Sequence, residues 1–198
     1  MRNMLLFLAV CSLYLATSIA APVPKEGQDP VLYFPTKIGS KWVYQWGNEE
    51  RVETITATEK SGTDIVVTLG VLVEGKNAPY CKLLVSKKGL FFGIEGLQEK
   101  KFPHCLLKIP STKDEKWDWM VADVNRKVTR VSCGEEEVEV PAGKFRTIRI
   151  ESEVPVGKDL TQKTNQWYAI GIGWVKLVTK MGDAKEERVL KSFTPGKE

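Results

Sequence analysis

A period-two alternation of side-chain character constrains the fold of this chain more than any other feature. Trp42, Tyr44 and Trp46 are separated by single smaller residues, and a β-branched run fills residues 65–73. Successive side chains of an extended strand point to opposite faces, so this spacing predicts strands that bury one face. No stretch of about ten residues keeps the three-to-four spacing of an amphipathic helix. The chain is therefore expected to fold through strand pairing.

Turn residues divide these runs at intervals of about ten residues, which is typical of antiparallel sheets. Lys87-Lys88-Gly89, Pro141-Ala142-Gly143 and Gly182-Asp183 each predict a tight connection between two strands. Residues 111–125 could hold one helical turn, with Ser111 as its amino-terminal cap. The sequence thus predicts an all-β fold: a mostly antiparallel curved sheet or open barrel of about eleven short strands, with at most one short helix.

The amino terminus combines the three zones of a secretory signal peptide. Arg2 supplies a positive charge, residues 5–15 are apolar, and residues 18–20 offer small side chains before a cleavage point. The apolar zone is shorter than the roughly 20 residues that a membrane-spanning helix needs. A lipid anchor on Cys11 is disfavoured, because Val10 is bulky where the lipoprotein peptidase favours Gly or Ala.

This pattern predicts three parts of the chain. We expect a signal peptide at 1–20, a flexible linker rich in proline and charge at 21–31, and a single β domain at 32–194. Hydrophobic residues make up 42% of the chain, which fits one folded domain rather than a disordered or multi-span membrane chain. No later segment is long and apolar enough to span a bilayer, so the expected location is extracytoplasmic, either periplasmic or secreted.

The charge distribution argues against a nucleic-acid partner. Lys and Arg number 29 and Asp and Glu number 25, and the two signs are interspersed along the chain. A nucleic-acid-binding domain instead gathers its positive charge into a stripe. We therefore expect an evenly charged surface and no nucleic-acid partner.

Three cysteines follow the predicted leader. In an exported protein, an odd number of thiols favours one bridge and one spare thiol. Cys105 opens one apolar run and Cys133 closes the next extended run, so an antiparallel pairing would bring these two together. The alternative is that Cys81, Cys105 and Cys133 are all small buried residues. A disulfide between Cys105 and Cys133 is therefore one of two open expectations.

No residue pattern carries an enzyme signature. His104 is the only histidine, and its neighbour Cys105 would point to the opposite face of a strand, which prevents a Cys–His pair. One histidine and three cysteines are a permitted zinc ligand set, but no two cysteines have the close spacing usual in such sites. Carboxylates at 135–137, Glu151 and Glu153 alternate as on an outer face with cross-strand ion pairs. We expect no catalytic residue, metal ion or cofactor.

Six tryptophans are the most unusual part of the composition. Trp42, Tyr44 and Trp46 share one face of a strand, and Trp174 follows a glycine turn. Large aromatic residues at this period usually face the interior and pack in the core. Two alternatives stay open: the rings line a ligand cavity, or exposed coplanar indoles stack on sugar rings. If a ligand binds, we expect these four side chains to contact it.

Three stretches together carry a family resemblance. Residues 33–44 open the domain, residues 139–147 contain Val-Pro-Ala-Gly-x-Phe, and residues 167–176 contain Gly-x-Gly between two tryptophans. This order resembles the TapB-like group of exported bacterial β-domains of unknown function, over residues 33–193. Ile170 stands where the resemblance leads us to expect proline. The resemblance implies a fold and an exported setting, with no activity to carry over. A more distant likeness to curved-sheet lipoprotein carriers of the bacterial envelope implies a concave apolar face.

The sequence therefore predicts an exported, non-enzymatic β-domain with a binding or structural role in the bacterial envelope. Its expected ligand is apolar or amphipathic and lies in an aromatic-lined concavity, so a lipid or a glycan is the partner class that fits. Two hypotheses from other classes remain: a carbohydrate-binding module with an indole platform, and an envelope glycan hydrolase that uses two carboxylates across a groove.

Overall fold

Every regular element in the described part of the chain is a β-strand. We describe a computed structural model over residues 32–93, 104–121 and 126–197. The predicted signal peptide and the predicted linker both lie outside these residues. Within them, no helix is long and apolar enough to cross a membrane.

Twelve strands form one sheet among the described residues. They are β1 Lys41–Trp46, β2 Glu49–Ser61, β3 Asp64–Val73, β4 Lys76–Ser86, β5 Gly89–Gly93, β6 His104–Lys108, β7 Lys116–Val121, β8 Arg126–Val140, β9 Gly143–Pro155, β10 Thr161–Ala169, β11 Gly173–Met181 and β12 Ala184–Thr194. The strand order is β6-β5-β4-β3-β2-β1-β12-β11-β10-β9-β8-β7. Every neighbouring pair is antiparallel. Among the described strands, those that follow each other in the chain are also neighbours in the sheet, except that β6 does not pair with β7 and β1 pairs with β12.

The predicted all-β antiparallel fold is confirmed, and so are the three predicted tight connections. The strands change at residues 87–88, 141–142 and 182–183. Two local details differ from the sequence prediction. The extended run expected to close at Cys133 continues as the single strand β8, through a bulge where Gly134 takes a φ of +86°. Glycine adopts this left-handed backbone without steric cost, so the strand absorbs an extra residue instead of ending.

Residues 116–121 form the strand β7 where the sequence allowed a helical turn. The capping pattern at Ser111 is a tight turn instead, because the amide of Glu115 donates to the carbonyl of Thr112 over 3.1 Å. The Ser111 hydroxyl lies 2.7 Å from the Ser132 hydroxyl and so bonds across to β8. Trp117 is buried while the residue that follows it is exposed, so the period-two signal of the tryptophans decides the structure here.

The sheet curls until its two edge strands meet, which makes a nearly closed barrel. We call the junction of β6 and β7 the seam. The Trp117 Nε1 and Arg130 Nη1 groups both donate to the Cys105 carbonyl oxygen, at 2.9 and 3.1 Å. Lys108 and Glu115 form an ion pair of 2.8 Å at the same junction. β6 and β7 share no backbone ladder among the described residues, so side chains join the two edges.

An aromatic cluster fills one end of the barrel. Phe34, from the segment before β1, packs against Trp42 with ring centres 5.0 Å apart and against Trp174 at 5.5 Å. The Leu32 carbonyl accepts a hydrogen bond from the amide of Gly171, which ties this segment to the β10–β11 turn. Gly173 has a φ of +89°, and a Cβ there would lie 2.5 Å from the Phe34 ring. Only glycine therefore permits this close packing.

The predicted disulfide between Cys105 and Cys133 is wrong. Both residues are free thiols in the structure. Cys105 lies on β6 and Cys133 on β8, and β7 lies between these two strands. Two strand spacings separate residues by about 10 Å, whereas a disulfide requires Cα atoms within about 7 Å. The missed strand β7 is thus the reason that the pairing fails.

Candidate functional site

The four predicted ligand contacts fall into two groups. Trp42, Tyr44 and Trp174 are buried in the core, while Trp46 keeps 42% of its surface exposed. The Trp42 Nε1 group donates to the carbonyl of Ile172 over 2.8 Å, and the Tyr44 hydroxyl donates to the carbonyl of Trp174 over 2.9 Å. These bonds join β1 to the β10–β11 turn and to β11. The three buried aromatic residues therefore hold the barrel together beneath the exposed one.

A cavity of about 420 Å³ opens on the inner face at the end of β1, next to the β11–β12 turn. Most of its lining comes from alternate positions of neighbouring strands, as the pairing of Gln162 with Met181 and of Trp46 with Arg188 shows. The lining residues used below are Trp46, Gln162, Leu177, Met181, Glu186 and Arg188. The complete lining also includes Thr179, Ala184 and Glu187, so the cavity combines apolar walls with polar side chains and three charged groups, which fits an amphipathic ligand.

A buried charged group lies beside this cavity. Glu53 is only 1% exposed and accepts hydrogen bonds from Arg51 Nε at 2.8 Å and Arg188 Nη1 at 2.9 Å. The Arg188 guanidinium also lies over the Tyr44 ring, 4.7 Å from its centre. We call Arg51, Glu53 and Arg188 the Glu53 cluster. The Glu53 cluster holds the Arg188 guanidinium in one position between the core and the cavity.

Burial around the Glu53 cluster also affects two tyrosines. The pKa of Tyr80 is raised well above its ordinary value, first by burial and then by the charge of Glu53. The pKa of Tyr44 is raised for the same two reasons in the same order. Both phenols therefore remain neutral hydrogen-bond donors over the physiological pH range.

Sequence reasoning did not find the Glu53 cluster, although a signal was present. Glu53 is two residues before the buried Ile55, and Arg188 is two residues before the buried Leu190. Residues two apart on a strand point to the same face, so each charged side chain points into the barrel. A charge at such a position must be paired when it is buried, which was the available hint of an interior ion pair.

The predicted outer-face ion pairs are confirmed. Arg149 lies between Glu136 at 3.3 Å and Glu151 at 3.4 Å. Lys163 and Glu153 form a pair of 2.6 Å on the next strands. These carboxylates each face a positive partner on the same outer surface, as the alternation of the sequence indicated.

His104 and Cys105 lie in different surroundings, as expected for neighbours on a strand. The His104 ring is buried against the Trp119 ring, with centres 3.6 Å apart, whereas Cys105 borders an outer groove with Lys108 and Ile109. Burial is the largest cause of a raised pKa for the Cys105 thiol, so this group stays protonated at neutral pH. Across the described ranges, no group of three or more His, Cys, Asp or Glu side chains could hold a metal ion.

The single histidine is expected to make the stability of the fold pH-dependent. Burial lowers the pKa of His104, and the nearby Arg130 guanidinium lowers it further. The unfolded imidazole, with a pKa of about 6.5, then binds a proton more readily than the folded one. Stability is therefore fully present above about pH 6.5 and is lost as the pH falls below that value.

Urea unfolding at about pH 7.5 and about pH 5.5 measures this effect in the wild type and in His104→Gln. We expect a smaller loss of unfolding free energy in the variant, since carboxylates titrate alike in both proteins. An equal loss in the two proteins would show that the imidazole makes no contribution.

Comparisons with known proteins identify the fold. Residues 95–180 match the model of the DUF3108-like family. None of the curated proteins compared with this chain matches it. A candidate lipoprotein from Parabacteroides distasonis is similar in structure, with 12% identity and a TM-score of 0.53, over 84% of this chain and 100% of that one. A candidate exported protein with a YmcC-like fold from Bacteroides fragilis is similar at 13% identity and a TM-score of 0.51, over 83% of this chain and 99% of that one.

These similarities refine the family resemblance that the sequence indicated. The DUF3108-like match spans the second and third motifs, at 139–147 and 167–176, and not the opening motif at 33–44. The TapB-like name is not confirmed. The likeness to the two solved structures is a likeness of fold, and it extends over more than four-fifths of this chain.

Proposed function

We propose that this protein is an exported, non-enzymatic β-domain of the bacterial envelope that holds an amphipathic ligand in the cavity beside Trp46. The observation that carries the proposal is the composition of that cavity. Trp46, Leu177 and Met181 supply apolar walls, while Gln162 and Arg188 supply polar groups in the same space. Pockets for small ligands typically combine a mostly apolar lining with a few fixed polar groups.

The location outside the cytoplasm has two supports. The first is the three-zone leader at residues 1–20, which matches the order of a secretory signal peptide. The second is the fold, since one structural neighbour is described as a lipoprotein candidate and the other as an exported-protein candidate. The bacterial envelope supplies amphipathic molecules in abundance, and a domain that acts there meets them without further transport.

The position of Trp46 favours this proposal over a sugar-binding platform. A platform needs two or more coplanar exposed indoles, and Trp46 is the one tryptophan among the large exposed hydrophobic residues of the described chain. Trp167, on the outer face, donates from Nε1 to Glu136 and carries the Lys176 ammonium 5.6 Å from its ring centre. That ring is therefore engaged within the sheet surface.

Removing the Trp46 ring is expected to weaken ligand binding without unfolding the barrel. Native mass spectrometry of protein recovered from its own envelope identifies a co-purified molecule, and titration with a dodecyl-chain amphiphile measures affinity. We expect Trp46→Ala to raise the dissociation constant at least about tenfold, because burial of an aromatic side chain contributes about 1.5–3 kcal/mol.

The matched control is Leu72→Ala, which removes an apolar side chain from an exposed position on β3 outside the cavity. We expect this variant to bind like the wild type. Equal affinities of wild type and Trp46→Ala would contradict the proposal. Co-purification of a glycan in place of an amphiphile would favour the carbohydrate-binding alternative.

A further inference from the structure

Three inward-facing side chains at the seam carry hydrogen-bond donors that no described acceptor satisfies. His104 on β6, Trp119 on β7 and Arg130 on β8 lie around one indole ring. The Arg130 Cζ atom is 5.6 Å from the centre of the Trp119 ring, and the His104 ring centre is 3.6 Å from it. His104 is 5% exposed and Arg130 is 7% exposed, so both lie away from solvent.

Six buried side-chain nitrogens of the described residues have no hydrogen-bond partner, and four of them lie here: both ring nitrogens of His104, Nε1 of Trp119 and Nε of Arg130. The other two are Nε1 of Trp174 and Nε of Arg188. One donor of Arg130 is used, since Nη1 bonds the Cys105 carbonyl at 3.1 Å. Buried polar groups in folded proteins are nearly always hydrogen-bonded, so four such atoms in one place require a cause.

The positive charge of Arg130 is the second anomaly. No carboxylate of the described residues forms an ion pair with this guanidinium, although Arg188, whose side chain is 15% exposed, bonds Glu53. Burial lowers the pKa of Arg130, which reflects the cost of removing its charge from water. A guanidinium nonetheless stays protonated at neutral pH, so an uncompensated positive charge remains inside the barrel.

We propose that His104, Trp119 and Arg130 form a binding site for an anionic oxygen group, a carboxylate or a phosphate. An indole N–H and a guanidinium donate and cannot accept, and an imidazole supplies at least one further donor. Arginine binds carboxylates and phosphates through two parallel hydrogen bonds, which requires free N–H groups such as Nε. A bound oxyanion would satisfy the donors and neutralise the charge together.

This site goes beyond the proposed function, because none of its three residues lines the cavity beside Trp46. A free anion such as inorganic phosphate could occupy it, and so could the carboxylate of an amphiphile. The shared chemistry is the oxyanion, and the two sources are separated by experiment.

The test measures the midpoint of thermal unfolding of the full chain in inorganic phosphate or in dodecanoate, at constant ionic strength. We expect a rise of about 5–10 °C at a ligand concentration 100 times the dissociation constant. A rise with phosphate indicates a free-anion site, and a rise with dodecanoate alone that Arg130→Met removes indicates a headgroup site. Either result supports the proposal, and no rise with either compound overturns it.

Two variants locate the effect. Arg130→Met should raise the dissociation constant at least about tenfold, as loss of a charged hydrogen-bond donor typically does. Arg126→Met removes one positive charge from an exposed position of the same strand and should respond like the wild type. A response of Arg130→Met equal to that of Arg126→Met would overturn the proposal.

A purely structural role for Arg130 makes the opposite prediction in the absence of ligand. The Cys105 carbonyl keeps a donor in Arg130→Met, because Trp117 Nε1 bonds it at 2.9 Å. We therefore expect the unliganded variant to unfold at the same temperature as the wild type or at a higher one. A clearly lower temperature would mean that the guanidinium has an internal partner, which would overturn the proposal.

A direct readout comes from the only histidine of the chain. The ring resonances of His104 in a nuclear magnetic resonance spectrum should shift when the anion binds to the wild type and stay unchanged in Arg130→Met. Ring resonances that do not move in the wild type at saturating anion would place binding elsewhere and overturn the assignment.

Discussion

Glu53→Gln is expected to lower the free energy of unfolding by about 3 kcal/mol, because it neutralises a buried carboxylate and leaves two partly buried guanidinium groups without a counter-ion. The carboxylate accepts from Arg51 at 2.8 Å and from Arg188 at 2.9 Å, and it is almost fully buried. Both guanidinium groups donate to the same oxygen, Oε1, and glutamine keeps an oxygen there, so the expected loss comes from the removed negative charge. Urea unfolding followed by circular dichroism gives the measurement.

Glu115→Gln is the matched control for this prediction. Glu115 pairs with Lys108 at 2.8 Å, and both side chains are about one-third exposed. Water screens such a pair, so its removal should cost at most about 1 kcal/mol. Replacing the whole Glu53 cluster by apolar residues of similar volume should cost less than Glu53→Gln alone, because no uncompensated charge remains. A loss in Glu53→Gln as small as that in Glu115→Gln would show that the cluster does not depend on its carboxylate.

Trp42→Ala is expected to destabilise the barrel by about 3–5 kcal/mol, since it empties the centre of the aromatic cluster. The Trp42 ring packs against Phe34 and, at 5.4 Å between ring centres, against Phe193. The substitution also removes the donor to the Ile172 carbonyl. Trp42→Phe keeps an aromatic ring but not this donor, so the difference between the two variants separates packing from the hydrogen bond.

Trp46→Ala tests the same chemistry at the exposed end of the strand. Trp46 lies four residues from Trp42 on the same face of β1, but it lines the cavity rather than the core. We expect it to lose less than about 1 kcal/mol of stability, as exposed positions usually do. Similar losses in Trp42→Ala and Trp46→Ala would contradict the division of the aromatic face into a core part and a cavity part.

The sequence predicted the fold class because strand structure depends on local alternation. The pattern around Trp42 and the turn at Pro141-Ala142-Gly143 act within a few residues, and both are confirmed. At residues 111–121, two local signals competed. Asp114 takes a φ of +65° in a tight turn, so the acidic residues after Ser111 do not begin a helix.

Which strands lie side by side is a long-range property, and here the prediction failed. The disulfide expectation assumed that the segments containing Cys105 and Cys133 pair with each other. In the structure β6 pairs with β5, and β8 pairs with β7 and β9. Alternation along one strand carries no information about its neighbour, because any two antiparallel strands of suitable length satisfy the same local rules.

The alternation of side chains shows which residues point into the barrel, but not how far each one lies from the open solvent. Trp42 and Trp46 have the same parity, and only the position along the barrel axis separates a core ring from a cavity wall. The buried charges at Glu53 and Arg130 were missed for a related reason. Their inward parity is visible in the sequence, but the presence or absence of an interior partner depends on strands more than 50 residues away, as the Glu53–Arg188 bond shows.

Side chains alone join β6 to β7 at the seam, so the circumference of the barrel can change along this line without loss of a backbone ladder. Residues 109–115 link the two strands directly at one end of this line. At the other end, where β6 begins and β7 ends, widening breaks side-chain hydrogen bonds worth about 0.5–1.5 kcal/mol each and leaves all eleven backbone ladders intact. Among the described strands, the seam is therefore the line between neighbouring strands that costs least to separate.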